Sequence, residues 1–212
     1  MRYRYNEVNL HTHSYYCRHG KGEIVDYVNV AKAKGLLKVL GFSEHAPLPD
    51  RTLDYGTRMA YSELDDYERD VKRADGRGGI KVLLGAECDW IEDEAGYYRD
   101  ELLGERGYSY LLGSVHSMVS PVTGLDTYIS RIGIAFRPLL PEYVRKYTKM
   151  LSSGLFLYGC HPDLYMADYR LWDENAKAAA KDIGECAKDC GVPLEMNDNG
   201  LRKCLIDTEE GK

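Results

Sequence analysis

Apolar positions along the chain follow two alternating periods. Short β-branched or leucine-rich runs, which suit strands, are each followed by a longer stretch with apolar residues three and four apart, which suits a helix. The first pair is VNLHTH (residues 8–13) and EIVDYVNVAKAKG (residues 23–35). In the second segment Ile24, Val25, Val28, Ala31 and Ala33 approximate one helical face, and Gly35 marks its stop. Further strand-like runs are KVLGFS, KVLLGAE, YLLGSVH, FLYGCH and PLEMN; the helix-like ones are YSELDDYERDVKRA, YYRDELLGERG, PEYVRKYTKMLSSG and DENAKAAAKDIGECAKDCG. Counted along the chain, these segments make five β-α units leading into a sixth strand.

Strands separated by helices predict parallel pairing, because a parallel neighbour needs a crossover connection, so the chain reads as α/β. No Gly-x-Gly-x-x-Gly follows the first strand and no Gly-x-x-x-x-Gly-Lys occurs, which favours a barrel over a nucleotide-binding doubly wound sheet. Residues 46–60 and 117–140 follow strand ends, where α/β barrels place functional loops. No low-complexity linker interrupts residues 1–212, which suit a single domain.

Charge narrows the partners. A formal charge of −6, with no basic stripe, argues against long nucleic acid and for a small ligand. No stretch approaches about 18 apolar residues and MRYRYNEVNL has no apolar leader, so the expectation is a cytoplasmic protein with no membrane span. Six scattered cysteines read as reduced thiols, and Cys186 and Cys190, four apart on a helix, as a small apolar pair.

The histidines carry the chemistry. All six fall at or just beyond predicted strand ends: His11 and His13 on the first, His19 in its loop, His45 after the second, His116 after the fourth and His161 after the fifth. The third strand closes with Glu87. Carboxyl ends of parallel barrel strands gather on one face, and His11 and His13, two apart on a strand, point the same way. A single such histidine reads as an ordinary rim residue, whereas six so placed read as metal ligands. Imidazoles with carboxylates and no clustered thiolates suit zinc, manganese or iron. Cys17 is the weakest of these candidates. Cys88 and Cys160, next to Glu87 and His161, are turned away by strand alternation.

HTHSYYCRH, FSEHAPLP, LGAECDW, GSVHSM, CHPDL and MNDNGLRK, in this order, resemble the motifs of the polymerase-and-histidinol-phosphatase (PHP) superfamily, and FSEHAPLP and NGLRK resemble its histidinol-phosphatase branch. The resemblance implies a distorted TIM-like (β/α)7 barrel binding two to three divalent ions of zinc, manganese or iron. It implies that His11, His13 and Glu87 hold the first ion, that Glu87 also serves a second held by His116 and His161, and that His19 and His45 hold a third. Family members close the site with an Asp-x-His in a last strand. None follows Asn197 here, so the expectation is a barrel incomplete at its C-terminus, the alternative being true loss of two ligands.

The activity implied is hydrolysis of a small phosphomonoester, with histidinol phosphate of histidine biosynthesis as the leading substrate and metal-activated hydroxide as nucleophile. Asp163 would orient a ligand or accept a proton in catalysis, or cap the following segment. Arg202, Lys203 and Asn197 would meet the phosphate, or be solvated loop groups. Arg18 is a weaker candidate for the same role. A PHP phosphoesterase of other specificity, acting on phosphodiesters or nucleotides, and a catalytically impaired metal-binding module are the competing readings.

Overall fold

The computed structural model describes residues 3–49 and 56–197. The chain divides into two compact units, Met1–Cys88 with Gly96–Leu112, and Asp89–Ala95 with Gly113–Lys212. Among the described residues no helix is long and apolar enough to cross a membrane.

The first unit is built on β1 (Val8–Asn9), α1 (Ile24–Lys34), β2 (Val39–His45), α2 (Leu64–Ala74) and β3 (Lys81–Asp89). β1, β2 and β3 pair in parallel, with Val8 opposite Val39 and Val39 opposite Lys81. Every residue of β2 is buried, which is how a strand covered on both faces of a parallel sheet reads. On α1, Ile24, Val28 and Ala31 face inward as the spacing predicts, but Ala33 is exposed. α2 buries Leu64, Tyr67, Val71 and Ala74, a three-four repeat.

The helix expected over residues 97–107 is a π-helix, Tyr97–Glu105. Its wider turn sets Glu101 beside Arg106, five residues on, where the guanidinium pairs with Glu101 at 2.8 Å, Asp65 at 2.8 Å and Glu68 at 2.9 Å. Arg106 thus ties this helix to α2.

β4 (Tyr110–Ser114) lies beside β3 and begins with a buried tyrosine. The Tyr110 hydroxyl is shared between the carbonyls of Leu10 at 2.7 Å and Phe42 at 3.2 Å. The ring fits because β2 and β3 carry glycines beneath it: a Cβ on Gly41 would overlap the hydroxyl, and one on Gly85 the ring itself. Full burial of such a ring contributes about 1.5–3 kcal/mol. Its hydrogen bond also fixes the carbonyl just before His11.

The second unit contains the end of β4, an antiparallel hairpin of β5 (Ser117–Val119) and β6 (Asp126–Tyr128), α3 (Leu140–Ser152), β7 (Tyr158–Gly159), α4 (Met166–Tyr169) and α5 (Glu174–Cys190). β7 lies next to the end of β4, where Cys160 N donates to Gly113 O at 2.8 Å. α3 buries Tyr143, Tyr147, Met150 and Leu151; α5 buries Ala176, Ala179, Ile183 and Ala187, and the two helices pack together. The carboxylate of Asp173 caps α5, accepting from Ala176 N at 2.9 Å.

The α/β alternation is as read from the sequence, with three differences. Five strand-helix successions precede Leu194 as the sequence predicts, but Leu194 makes a single parallel bridge to Gly159 in place of the last strand. Of the predicted strands VNLHTH and FLYGCH, only Val8–Asn9 and Tyr158–Gly159 have regular strand geometry; past them Thr12 N, Ser14 N and His161 N bond to side chains. Residues 117–140, expected as a loop, carry the β5–β6 hairpin and a 3-10 turn, Gly133–Leu139.

Candidate metal centre

In the first unit, the segment after β1 is held extended although it is not a regular strand. Thr12 N donates to Ser43 Oγ at 3.2 Å, and Ser43 N to Thr12 O at 3.0 Å. Both Ser14 N and Ser14 Oγ donate to Glu44 Oε1, at 2.7 and 2.6 Å. His13 is therefore anchored on each side to β2, and it and His11 project together. Their Nε2 atoms lie 3.0 Å apart, and each is 3.2 Å from Glu87 Oε2 at the end of β3.

Two imidazole nitrogens this close to each other and to a buried carboxylate oxygen can share a proton in hydrogen bonds or hold a cation between them. Two ligands at about 2.1 Å on a tetrahedral ion stand about 3.4 Å apart, so the triangle fits a zinc-sized ion. His45 Nδ1 is 3.6 Å from the same Glu87 oxygen. The rings of His13 and His45 stack at 4.9 Å, and His19 stands edge-on to both, at 5.0 and 5.2 Å. His13, His45 and Glu87 form one group of donors that could hold an ion.

One buried pair bears on the same fit. His13 Nδ1 and Glu44 Oε2 make no hydrogen bond among the described residues, and they face each other at 3.9 Å. An imidazole bound to metal through Nε2 would carry its proton on Nδ1, and Glu44 is the carboxylate that faces this edge, beyond hydrogen-bond distance. Cys17 is buried, and its thiol donates to Ser14 O at 3.1 Å. Burial, with the Glu44 charge adding to it, pushes this thiol up to about 12, which keeps the proton on sulfur.

In the second unit, Asp89 Oδ1 accepts from His116 N at 2.9 Å and lies 2.7 Å from His116 Nδ1. This bond places the ring proton on Nδ1 and turns Nε2 toward a ligand. Ser114 Oγ, 3.1 Å from Nδ1, supports the same edge, and the Tyr128 ring stacks on the imidazole at 5.5 Å. His161 lies 4.8 Å from His116, ring to ring. Its left-handed backbone, φ 30°, is held by Glu195 Oε2, which accepts from His161 N at 3.0 Å, and by Tyr147, which donates to the preceding carbonyl at 2.7 Å.

His116 and His161 line a cavity of about 470 Å³ whose rim includes Tyr128, Asp163, Arg170 and Asn197. Asp163 is exposed, and because Tyr165 is the N-cap of α4, Asp163 does not cap that helix. Asn197 Nδ2 donates to Glu195 Oε2 at 3.0 Å. Arg18 is taken up by an ion pair with Glu63. Arg202 and Lys203 lie outside the described residues.

The structure thus brings His11, His13, His19, His45 and Glu87 together in the first unit, and His116 with His161 in the second. Sequence reading missed Asp89, Glu44, Tyr128 and Glu195. Asp89 had a signal, since it sits two residues after Glu87 on one strand.

Clustered imidazoles with buried carboxylates, at the ends of parallel strands, are the donor set of a metal-binding α/β protein. The chain belongs to the PHP domain family, whose model matches residues 9–199 and so runs through both units. It is 32% identical to the histidinol-phosphatase of Bacillus subtilis, over 91% of this chain and 81% of that protein. It is 27% identical to a protein of Schizosaccharomyces pombe named probable histidinol-phosphatase, over 71% of this chain; the chain spans about half of that relative, 48%. Among solved structures, the histidinol phosphate phosphatase of Lactococcus lactis, complexed with zinc, L-histidinol and phosphate, superposes with a TM-score of 0.70 at 15% identity, over 91% of this chain and 73% of that one. A candidate histidinol phosphatase of Listeria monocytogenes gives a TM-score of 0.75 at 18% identity, over 94% and 85%. The fold is that of these structures.

Proposed function

We propose that the protein is a metal-dependent phosphatase of small phosphomonoesters, that its substrate is L-histidinol phosphate, and that residues 1–212 act as one PHP-type domain in the cytoplasm. The observation that carries this reading is the triangle of His11 Nε2, His13 Nε2 and Glu87 Oε2, with edges of 3.0, 3.2 and 3.2 Å. The names of the relatives support the substrate.

His11, His13 and Glu87 hold one divalent ion, His19 and His45 contribute to another, and His116 and His161 hold an ion in the second unit; zinc, manganese or iron fits these donors. When bound, such ions offset phosphoryl charge and lower the pKa of a coordinated water toward neutrality. The protein's own part is positional. Asp89 fixes the tautomer of His116, Glu44 faces the Nδ1 edge of His13 with its charge, and Ser14 holds Glu44 in place. Asp163, exposed at the cavity that His161 also lines, is assigned the exchange of a proton with solvent or leaving group. Asn197, and Arg202 and Lys203 beyond it, are assigned to the phosphate.

The deciding experiment pairs metal analysis of the purified protein with turnover of L-histidinol phosphate against a panel of phosphomonoesters and phosphodiesters. The expected result is at least two bound ions and a preference for histidinol phosphate, with His11→Ala and Glu87→Gln inactive but folded. Bound metal with a preference for another ester would reassign the substrate. No binding of zinc or manganese after loading would refute the phosphatase reading itself.

A further inference from the structure

Outside the histidine sites, the described residues bring two thiols of α5 and a hydroxyl of α3 together. Cys186 and Cys190 stand four residues apart, with sulfurs separated by 3.9 Å. Ser152, in the last turn of α3 in the same unit, places its Oγ 3.7 Å from Cys186 Sγ and 3.5 Å from Cys190 Sγ. The apolar pairing expected from the sequence is not what is seen: Cys190 is exposed and Cys186 only half-buried, and both face a hydroxyl. The three donor atoms form a near-equilateral triangle reachable from solvent.

Two uses of such a dithiol can be separated by geometry. A disulfide needs Cβ atoms about 3.5–4.5 Å apart, whereas residues four apart on a helix hold theirs at about 5–6 Å, so closing one would unwind the end of α5. A tetrahedral ion with metal-sulfur bonds of about 2.3 Å sets two sulfurs about 3.8 Å apart, and a sulfur and an oxygen ligand about 3.5 Å apart. The observed 3.9, 3.7 and 3.5 Å match the ion and not the disulfide.

We propose that Cys186, Cys190 and Ser152 form a binding site for a soft, thiophilic divalent cation of the zinc and cadmium kind, joining the last turns of α3 and α5. Binding replaces two S–H bonds by two metal-sulfur bonds and releases two protons to solvent, with no change of oxidation state. The Cys186 S–H contact to Thr148 O, at 3.6 Å, is long and is given up. Solvent supplies the fourth ligand. The site uses none of the residues assigned to phosphate-ester hydrolysis.

Cadmium alone is the probe, because its bonds to thiolate absorb in the ultraviolet by charge transfer while those to nitrogen and oxygen do not. The full-length protein is titrated with cadmium and compared with Cys186→Ser/Cys190→Ser and with Ser152→Ala, each checked by thermal melting and by native mass spectrometry. The expected result is a charge-transfer band that saturates in wild type, weakens in Ser152→Ala and is lost in the double variant, which binds one cadmium fewer. An equal band in the double variant, arising from the other cysteines, would overturn the assignment. So would the absence of any band in wild type.

Discussion

Replacing Asp89 with asparagine tests whether a carboxylate holds His116 ready for metal. The substitution keeps the size of the side chain and one oxygen acceptor, but removes the charge and converts the other end to a donor. Asp89 Oδ1 takes two bonds from one residue, at 2.9 Å from the His116 backbone and 2.7 Å from its ring. Hydrogen bonds to a charged group contribute about 1.5–3 kcal/mol, roughly twice the neutral value, so losing the charge on two of them forfeits about 1.5–3 kcal/mol. Part of that loss falls on the tautomer, because the imidazole is then freer to carry its proton on Nε2, where metal should bind. Substitutions in groups that orient metal ligands weaken affinity by about 10–100-fold, which is the same range in energy. The assay is competition for zinc against a chromophoric chelator, with melting as the control for fold and kcat/KM on L-histidinol phosphate as the second readout. A variant that melts like wild type and binds zinc within twofold of it would refute the reasoning.

Glu44→Gln should weaken metal binding about tenfold in the same chelator assay, since His13 Nδ1 loses its nearest carboxylate. Tyr110→Phe removes the donor shared by Leu10 O and Phe42 O, and urea unfolding should register a loss of about 1–3 kcal/mol. Asp173→Ala, by deleting the α5 cap, should cost about 1 kcal/mol in the same measurement. Asp75 is held below its ordinary range by a hydrogen bond from Lys81 and a second from Val82 N. A depressed carboxylate stabilises the fold above its unfolded pKa, and that contribution disappears as pH falls through its folded pKa. Wild type should therefore lose stability relative to Asp75→Asn below about pH 4, while the order at pH 6 favours wild type; parallel urea midpoints at the two pH values check it.

The candidate metal ligands are legible because histidines are few in this chain and strand ends are readable from apolar runs that stop abruptly at a polar residue. His11 with His13 also used the two-residue period of an extended segment. The partners of these ligands were harder to see for physical reasons. Glu44 and Asp89 act through distant backbone or ring atoms, and a lone carboxylate beside a histidine carries no spacing that distinguishes it from a surface charge. A stricter use of alternation along β3 would have raised Asp89, and the total burial of β2 raises Glu44 only once its neighbours are known. Tyr128 reaches His116 from a hairpin whose only local signal is the turn-forming Pro121 to Gly124 stretch. The π-helix depends on Glu101 and Arg106 meeting at a five-residue spacing, which the amphipathic pattern of the segment does not separate from an ordinary helix.

Tyr110, Gly41 and Gly85 bear on how this chain can change over time. The tyrosine occupies volume that two neighbouring strands leave open, so the three positions behave as one steric unit spread over three elements. Adding a methyl group at Gly85 while the ring remains forces an overlap deep in the sheet, and removing the ring while the glycines remain leaves a void. A smaller residue at 110 together with alanine at 85 avoids both. Sequence drift here must pass through a costly intermediate, and two positions some 25 residues apart are bound to vary together.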